Sequence, residues 1–331
     1  MKFPTMTQKR KIAFFGSDEI ALPWLRSMLE GGLCGEIAAV LTQPDRRSGR
    51  GRKFQPNAIK TWAMESGLPV HDPEKAGPEE VAWLKQLGVD LIWVMAYGHI
   101  LKKDLLTAAP LGCFNLHASL LPKYRGASPI ETSLAMGDQK TGVTLMEVIP
   151  RMDAGPVIDL EEVEISDQDT GPSLRHKIAD ACVPLVHRAM PLLLNGNYQK
   201  MDQDEQRATY CRKLSKDDGR INFNLPGEEM VNRMRAFSAW PGTFFIYEDI
   251  VLRVGQLRVV SCSQALNPGE RFSGVTQSLV VGSGNGAVEI LEIQKPGGKM
   301  LPVADFLRGF SLPQEVTFSS PADQAVLLRK I

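Results

Sequence analysis

The sequence predicts an open, doubly wound α/β domain followed by a smaller β-rich domain, and three observations carry that prediction. The first half alternates short, almost wholly apolar runs with helical patterns, the stretch near residue 195 turns polar, and short β-like pieces separated by Gly, Asn and Pro follow. Runs without polar alternation are strands covered on both faces, as in a parallel sheet flanked by helices. Many short strands at close spacing instead suggest a small barrel or sandwich. The 331 residues suffice for two domains. With 43% hydrophobic and 23% charged residues, the chain can bury a sizeable core, which excludes wholesale disorder.

Lys11 to Phe15, ending at Gly16, reads as a buried strand closed by a glycine turn. Ser17 or Asp18 can cap a helix over the apolar-periodic stretch Ile20 to Leu29. Ile37 to Thr42 and Val89 to Ala96 read as further strands, with helical patterns near Pro56–Ser66 and Pro78–Leu87 between them. That β-α-β-α-β rhythm is the basis for a parallel sheet with helices on both faces. Strands at Cys113–Leu116 and Val143–Val148 extend it, and the amphipathic helix Leu174 to Leu194 closes a first domain over 1–194. Residues 195–216 read as a polar linker crossing the surface, and 217–331 as the second domain. A helix is expected near Gly227–Phe237, with strands at Thr243–Tyr247, Val251–Val260, Leu279–Gly282 and Ala287–Gln294.

Lys plus Arg number 38 and Asp plus Glu number 38, so the formal net charge is zero. Indiscriminate coating of nucleic acid calls for a strongly basic chain, so any polyanion must be met by a local patch. Such a patch exists: Arg46, Arg47, Arg50, Arg52 and Lys53 crowd into one segment with Gly49 and Gly51. It is either a solvated loop or one that orders against a nucleic acid backbone. The five cysteines are scattered, with no C-x-x-C pair, which suggests neither zinc nor a disulfide framework. They read as free, mostly buried thiols. No run of 18 apolar residues and no presequence is visible, so a soluble chain of the bacterial cytoplasm is expected.

The dinucleotide fingerprint G-x-G-x-x-G is absent at Gly16-Ser17-Asp18, which argues against nicotinamide or flavin binding. The sharpest chemistry lies in the segment from Phe114 to Pro122. Strand alternation puts Asn115 and His117 on one face, about 7 Å apart. Asp153 follows in a turn after the Val143–Val148 strand, and a carboxylate near His117 would orient the imidazole. An Asn, a His and an Asp without a serine or cysteine nucleophile suit direct attack by a substrate nucleophile on a carbonyl, the amide stabilising the oxyanion. The same pattern also fits a histidine satisfied inside a packed core. The remaining histidines have no ligand spacing, and no metal is expected.

The block Asn115–His117 with Ser119, Leu120, Leu121 and Pro122, then Arg125-Gly126 and Asp153, resembles the 10-formyltetrahydrofolate-dependent formyltransferases. Thr42–Arg46 with its glycine-spaced basics, and Val94-x-Ala96-Tyr97-Gly98, are similar to the branch that acts on methionyl-initiator tRNA. The likeness continues through Lys213–Lys216, Arg235–Phe237 and Trp240-Pro241. Ala118 stands where many members have Gly, and Tyr124 where many have Trp. The resemblance implies a Rossmann-like catalytic domain and a C-terminal OB-like β-barrel that holds tRNA. It implies a formyl-donor folate bound by Ser119, Leu120, Leu121, Pro122, Tyr97 and Gly98. It implies catalysis by Asn115, His117 and Asp153, and contact with the acceptor stem by Arg46, Arg47, Arg50, Arg52 and Lys53. A monomer is expected.

Overall fold

The structure is a computed structural model and describes residues 9–31, 35–48, 53–274 and 276–330. The first domain opens with β1 (Arg10–Phe15), a 3-10 turn (Glu19–Ala21), α1 (Leu22–Gly31) and β2 (Gly35–Leu41). A hairpin of β3 (Arg46–Ser48) and β4 (Lys53–Gln55) precedes α2 (Ala58–Glu65), β5 (Val70–His71), α3 (Pro78–Leu87) and β6 (Leu91–Val94). Then come α4 (Lys103–Leu106), β7 (Cys113–His117), β8 (Arg125–Gly126), α5 (Pro129–Ala135), β9 (Lys140–Glu147), β10 (Val157–Glu164) and α6 (Gly171–Leu194). Local chemistry sets the helix starts. The Asp18 carboxylate accepts from Ile20 N, the Asn57 side chain from Lys60 N, and Thr170 and Ser173 cap α6 reciprocally. Gly88 ends α3 in the left-handed region at φ 71°.

The main sheet has the order β10-β9-β7-β6-β1-β2-β5. The run from β7 to β5 is parallel. Its strands bury both faces as the apolar runs require. Ile12, Phe14, Leu91 and Trp93 enter the core that α1, α2 and α6 complete, while Ala13, Phe15, Ile92 and Val94 enter another with Leu84 and Leu105. The chain builds outward from β1 to β2 and β5, then returns to β6 and β7 on the other side. Ligands of such sheets bind where the strand order reverses, outside the C-terminal strand ends.

Two departures from the expected fold matter. First, β9 runs antiparallel to β7, and β10 antiparallel to β9. The loop 148–156 is too short for a crossover back over the sheet, so it can only make a hairpin edge. Second, segment 195–216 is docked, not a bare linker. Its strand β11 (Thr209–Cys211) pairs in parallel with β8 and antiparallel with β17 (Leu328–Lys330), the last described strand. Gln203, Glu205 and Tyr210 of this segment bond to Arg125, which is fully buried, while most of its other polar residues face solvent.

The second domain places α7 (Gly227–Ala236) before β12 (Thr243–Tyr247), β13 (Ile250–Val260), β14 (Leu279–Ser283), β15 (Gly286–Gln294), β16 (Leu301–Pro302) and α8 (Val303–Gly309). Its strands pair antiparallel in the order β12-β13-β15-β14, with β16 beside β15. Phe223, Phe245 and Phe318 meet at the centre of its core. From α7, Arg235 donates to the Ser166 and Asp169 carbonyls at 2.9 and 3.1 Å, tying this domain to the start of α6. Cys113, Cys182 and Cys211 are buried free thiols, Cys262 is half-buried, and Cys34 lies outside the described residues. No described helix is long and apolar enough to cross a membrane.

Candidate active site

The C-terminal ends of β1, β6 and β7 converge on a cavity of about 510 Å³. Asp18 follows β1, residues 95–101 follow β6, and Asn115, His117 and Ala118 come from the end of β7. Gly126 and Pro129–Glu131 close one side, and Val148–Pro150 with Met152 and Asp153 close another. The registers explain the convergence: Val94 lies opposite Asn115, and Phe15 opposite Val94, so the three strands end together.

Asn115 and His117 both line the cavity, as the two-residue period requires. The Asn115 side-chain amide has no hydrogen-bond partner among the described residues. His117 is buried, and its Nε2 lies 2.8 Å from the Tyr124 carbonyl oxygen. A carbonyl only accepts, so Nε2 carries the hydrogen and Nδ1 is left for chemistry. That Nδ1 faces Asp153 Oδ2 at 3.7 Å. The carboxylate is held in turn by the Gly126 N–H at 2.8 Å. Ala96, Tyr124 and Asp153 all adopt positive φ, at 49°, 59° and 47°. Such conformations are costly for residues with a Cβ and persist only where the surroundings impose them.

Tyr97 and Gly98 line the cavity. Tyr97 is buried against Phe15 and His99, and burial, followed by the Glu80 charge, pushes its phenol up to about 12, so it stays neutral. Ser119, Leu120, Leu121 and Pro122 are not among the residues lining this cavity. They form a turn one layer behind it: Ser119 Oγ donates to the Lys123 carbonyl, and Thr144 Oγ1 donates to the Ser119 carbonyl while accepting from Leu121 N. The turn thereby sets Tyr124 against His117 instead of presenting its own side chains.

Of the five basic residues, Arg50 and Arg52 lie outside the described residues. The others sit on the β3–β4 hairpin, not on a bare loop. Arg46 pairs with Glu74 at 3.0 Å, Arg47 lies over the exposed Phe54 ring at 5.2 Å, and Lys53 is exposed. None of them lines the cavity, whereas Asp18, Glu131 and Arg175, which sequence reasoning did not place there, do. Arg175 pairs with Asp18 and lies 3.7 Å from Glu131. Burial works against the Arg175 charge, and the two carboxylates outweigh it and hold its pKa above the usual value. These three residues are far apart in sequence and share no motif. The Asp18 cap was legible, but its second contact was not. A second cavity of about 740 Å³ lies against the first, sharing Ile20, Ala127, Glu131 and Arg175, and opens towards Arg26, Lys213 and Trp240. Among the described residues, no group of three His, Cys, Asp or Glu side chains is placed to hold a metal.

Known proteins agree with this architecture. Residues 10–190 match the formyl transferase family, and residues 213–311 match the formyl transferase C-terminal domain. Methionyl-tRNA formyltransferase of Methylococcus capsulatus is 40% identical over 91% of this chain and 97% of its own length. That of Geobacillus thermodenitrificans is 38% identical over 90% and 93%. Among solved structures, an N-formyltransferase of Helicobacter canadensis, in complex with folinic acid and dTDP-3-aminofucose, superposes with a TM-score of 0.64. It is 20% identical, over 86% of this chain and 99% of its own. HypX of Aquifex aeolicus with tetrahydrofolic acid gives a TM-score of 0.56 at 16% identity, over 91% and 47%. The last two likenesses show the fold alone. Two domain matches in the right order, and identities of this level over nine-tenths of the chain, leave one assignment: this enzyme belongs to the methionyl-tRNA formyltransferase family.

Proposed function

We propose that the chain transfers the formyl group of 10-formyltetrahydrofolate to the α-amino group of methionyl-initiator tRNA, as a monomer in the bacterial cytoplasm. Residues 1–194 are the catalytic domain, 195–216 join the two, and 217–331 hold the tRNA. The observation that carries the mechanism is the Asn115 amide, without a partner among the described residues, beside an imidazole whose Nδ1 faces a carboxylate. No serine, threonine, cysteine or lysine is among the described residues lining the cavity, so the acceptor amine itself is the nucleophile.

Attack forms a bond between the amine nitrogen and the formyl carbon and places negative charge on the formyl oxygen, where Asn115 donates its N–H. The proton lost by the amine passes to Nδ1 of His117, whose positive charge Asp153 balances. It moves on to N10 of the departing folate as the formyl carbon–N10 bond breaks. The cavity volume falls in the ordinary range of small-molecule sites. Beside Tyr97 and Gly98, His99 Nδ1 is buried without a partner among the described residues, which supplies a polar group for the folate ring. Arg46, Arg47, Arg50, Arg52 and Lys53 meet the acceptor-stem phosphates. The esterified end reaches the amine site along the adjoining cavity by Arg26 and Trp240.

Asn115→Ala is expected to lower kcat about 10²–10³-fold, the usual loss of one oxyanion donor, with tRNA affinity nearly unchanged. Steady-state formylation kinetics beside a tRNA-binding titration check this. Parent-like turnover removes Asn115 from the mechanism.

A further inference from the structure

The docked crossing segment reaches both members of the His117–Asp153 pair from behind. Thr209 Oγ1 accepts from Tyr124 N at 2.9 Å, and Tyr124 is the residue whose carbonyl holds His117. Gln203 does more. Its Nε2 donates to the Asp153 carbonyl at 2.9 Å and to the Gly155 carbonyl at 2.7 Å. Its Oε1 accepts from Arg125 Nε at 3.0 Å and Nη2 at 2.8 Å. Only this orientation of the amide matches donors to acceptors on both sides.

Arg125 is anchored independently. Its guanidinium, fully buried, also donates to Glu205 and to the Tyr210 hydroxyl. Burial opposes the charge, but Glu205 and Tyr210 outweigh it and keep Arg125 cationic. Gln203 is therefore a bridge from a fixed cation to the turn that presents Asp153. That turn needs a bridge: Asp153 sits at φ 47°, in the left-handed region that a Cβ disfavours. Its remaining restraint at the carboxylate is the Gly126 N–H.

We propose that Gln203 is a positioning residue of formyl transfer, holding the Asp153 turn so that the carboxylate faces Nδ1 of His117. This inference rests on the reading that Asp153 works with His117. It gives segment 195–216 a task in the chemistry that needs no contact with either substrate.

Two variants test it, Gln203→Ala and Gln203→Glu, each made in the parent and in an Asp153→Asn background. Gln203→Glu keeps the acceptor for Arg125, so it folds even where Gln203→Ala does not, but it turns a carboxylate oxygen towards two carbonyls. Single-turnover transfer with enzyme in excess is read beside KM for both substrates and the melting midpoint. In the parent background both variants lower the transfer rate roughly 10- to 100-fold, the scale of a misplaced catalytic group, with both KM values unchanged. In the Asp153→Asn background the same substitutions change the rate by no more than about twofold, because the group they position is gone. A parent-like rate for Gln203→Glu overturns the proposal. So does an equal loss in both backgrounds, or a loss confined to KM. Asp153→Asn alone at the parent rate refutes the reading of the pair itself, and the proposal with it.

Discussion

At the scale of single residues, Gly126 shows how little freedom the site has. Its φ is 114°, and a Cβ there would sit 2.1 Å from the Cys211 carbonyl oxygen, which is backbone of the paired strand β11. Its N–H is also the one that holds the Asp153 carboxylate. Gly126→Ala must therefore move β11 or β8, and either motion releases Asp153. We expect a stability loss of about 2 kcal/mol or more together with loss of most turnover, measured by denaturant unfolding and formylation rate on one preparation. A Gly126→Ala protein with parent-like stability and rate contradicts the close approach. Residues of this kind were only partly legible in the sequence. Asn115 and His117 were, because a strand's period of two fixes their common face once the strand is placed. Gln203 was not: its partners are 48 to 78 positions away, and no local pattern records them. Ser119 to Pro122 show the converse, since adjacency to Asn115 and His117 along the chain does not place them among the residues lining the cavity.

At the scale of elements, the start of α6 is the joint between the domains. Burial pushes the Asp169 carboxyl up, but the Lys177 ammonium at 2.6 Å and hydrogen bonds from Ser166 and Ser173 outweigh it and hold its pKa to about 2. A carboxylate held below its unfolded value of 3.8 stabilises the fold above that pH, and the contribution is lost as pH falls from about 4 to about 2. Its size, from the shift, is about 2 kcal/mol. Asp169→Asn is expected to lose that amount near neutral pH and nothing further at pH about 2, as urea unfolding at the two pH values shows. A deficit of equal size at both assigns the effect to packing and not to charge. The elements themselves were mostly legible, because apolar runs and caps are local signals. The direction of β9 and β10 was not, since pairing sense depends on connection geometry that composition does not carry. The pairing of β11 with β8 and β17 joins three distant segments, which no window along the chain can show.

At the scale of the whole molecule, the proposed reading gives the small donor to the cavity at the strand ends, and the large acceptor to the basic hairpin and the second domain. Zero net charge with a local cationic hairpin suits an enzyme that must hold one nucleic acid end and not coat any polyanion. The two-domain order was legible from the change in texture along the chain. The docking of the crossing segment was not, because its polar composition reads the same whether it meets water or a buried arginine. The acceptor is decided by formyl transfer from 10-formyltetrahydrofolate to methionyl-initiator tRNA, with uncharged tRNA and an amino-sugar nucleotide as parallel acceptors. Transfer to the charged tRNA alone is the predicted result. Transfer to the amino sugar alone would preserve the chemistry of Asn115, His117 and Asp153 but contradict the acceptor assigned to it.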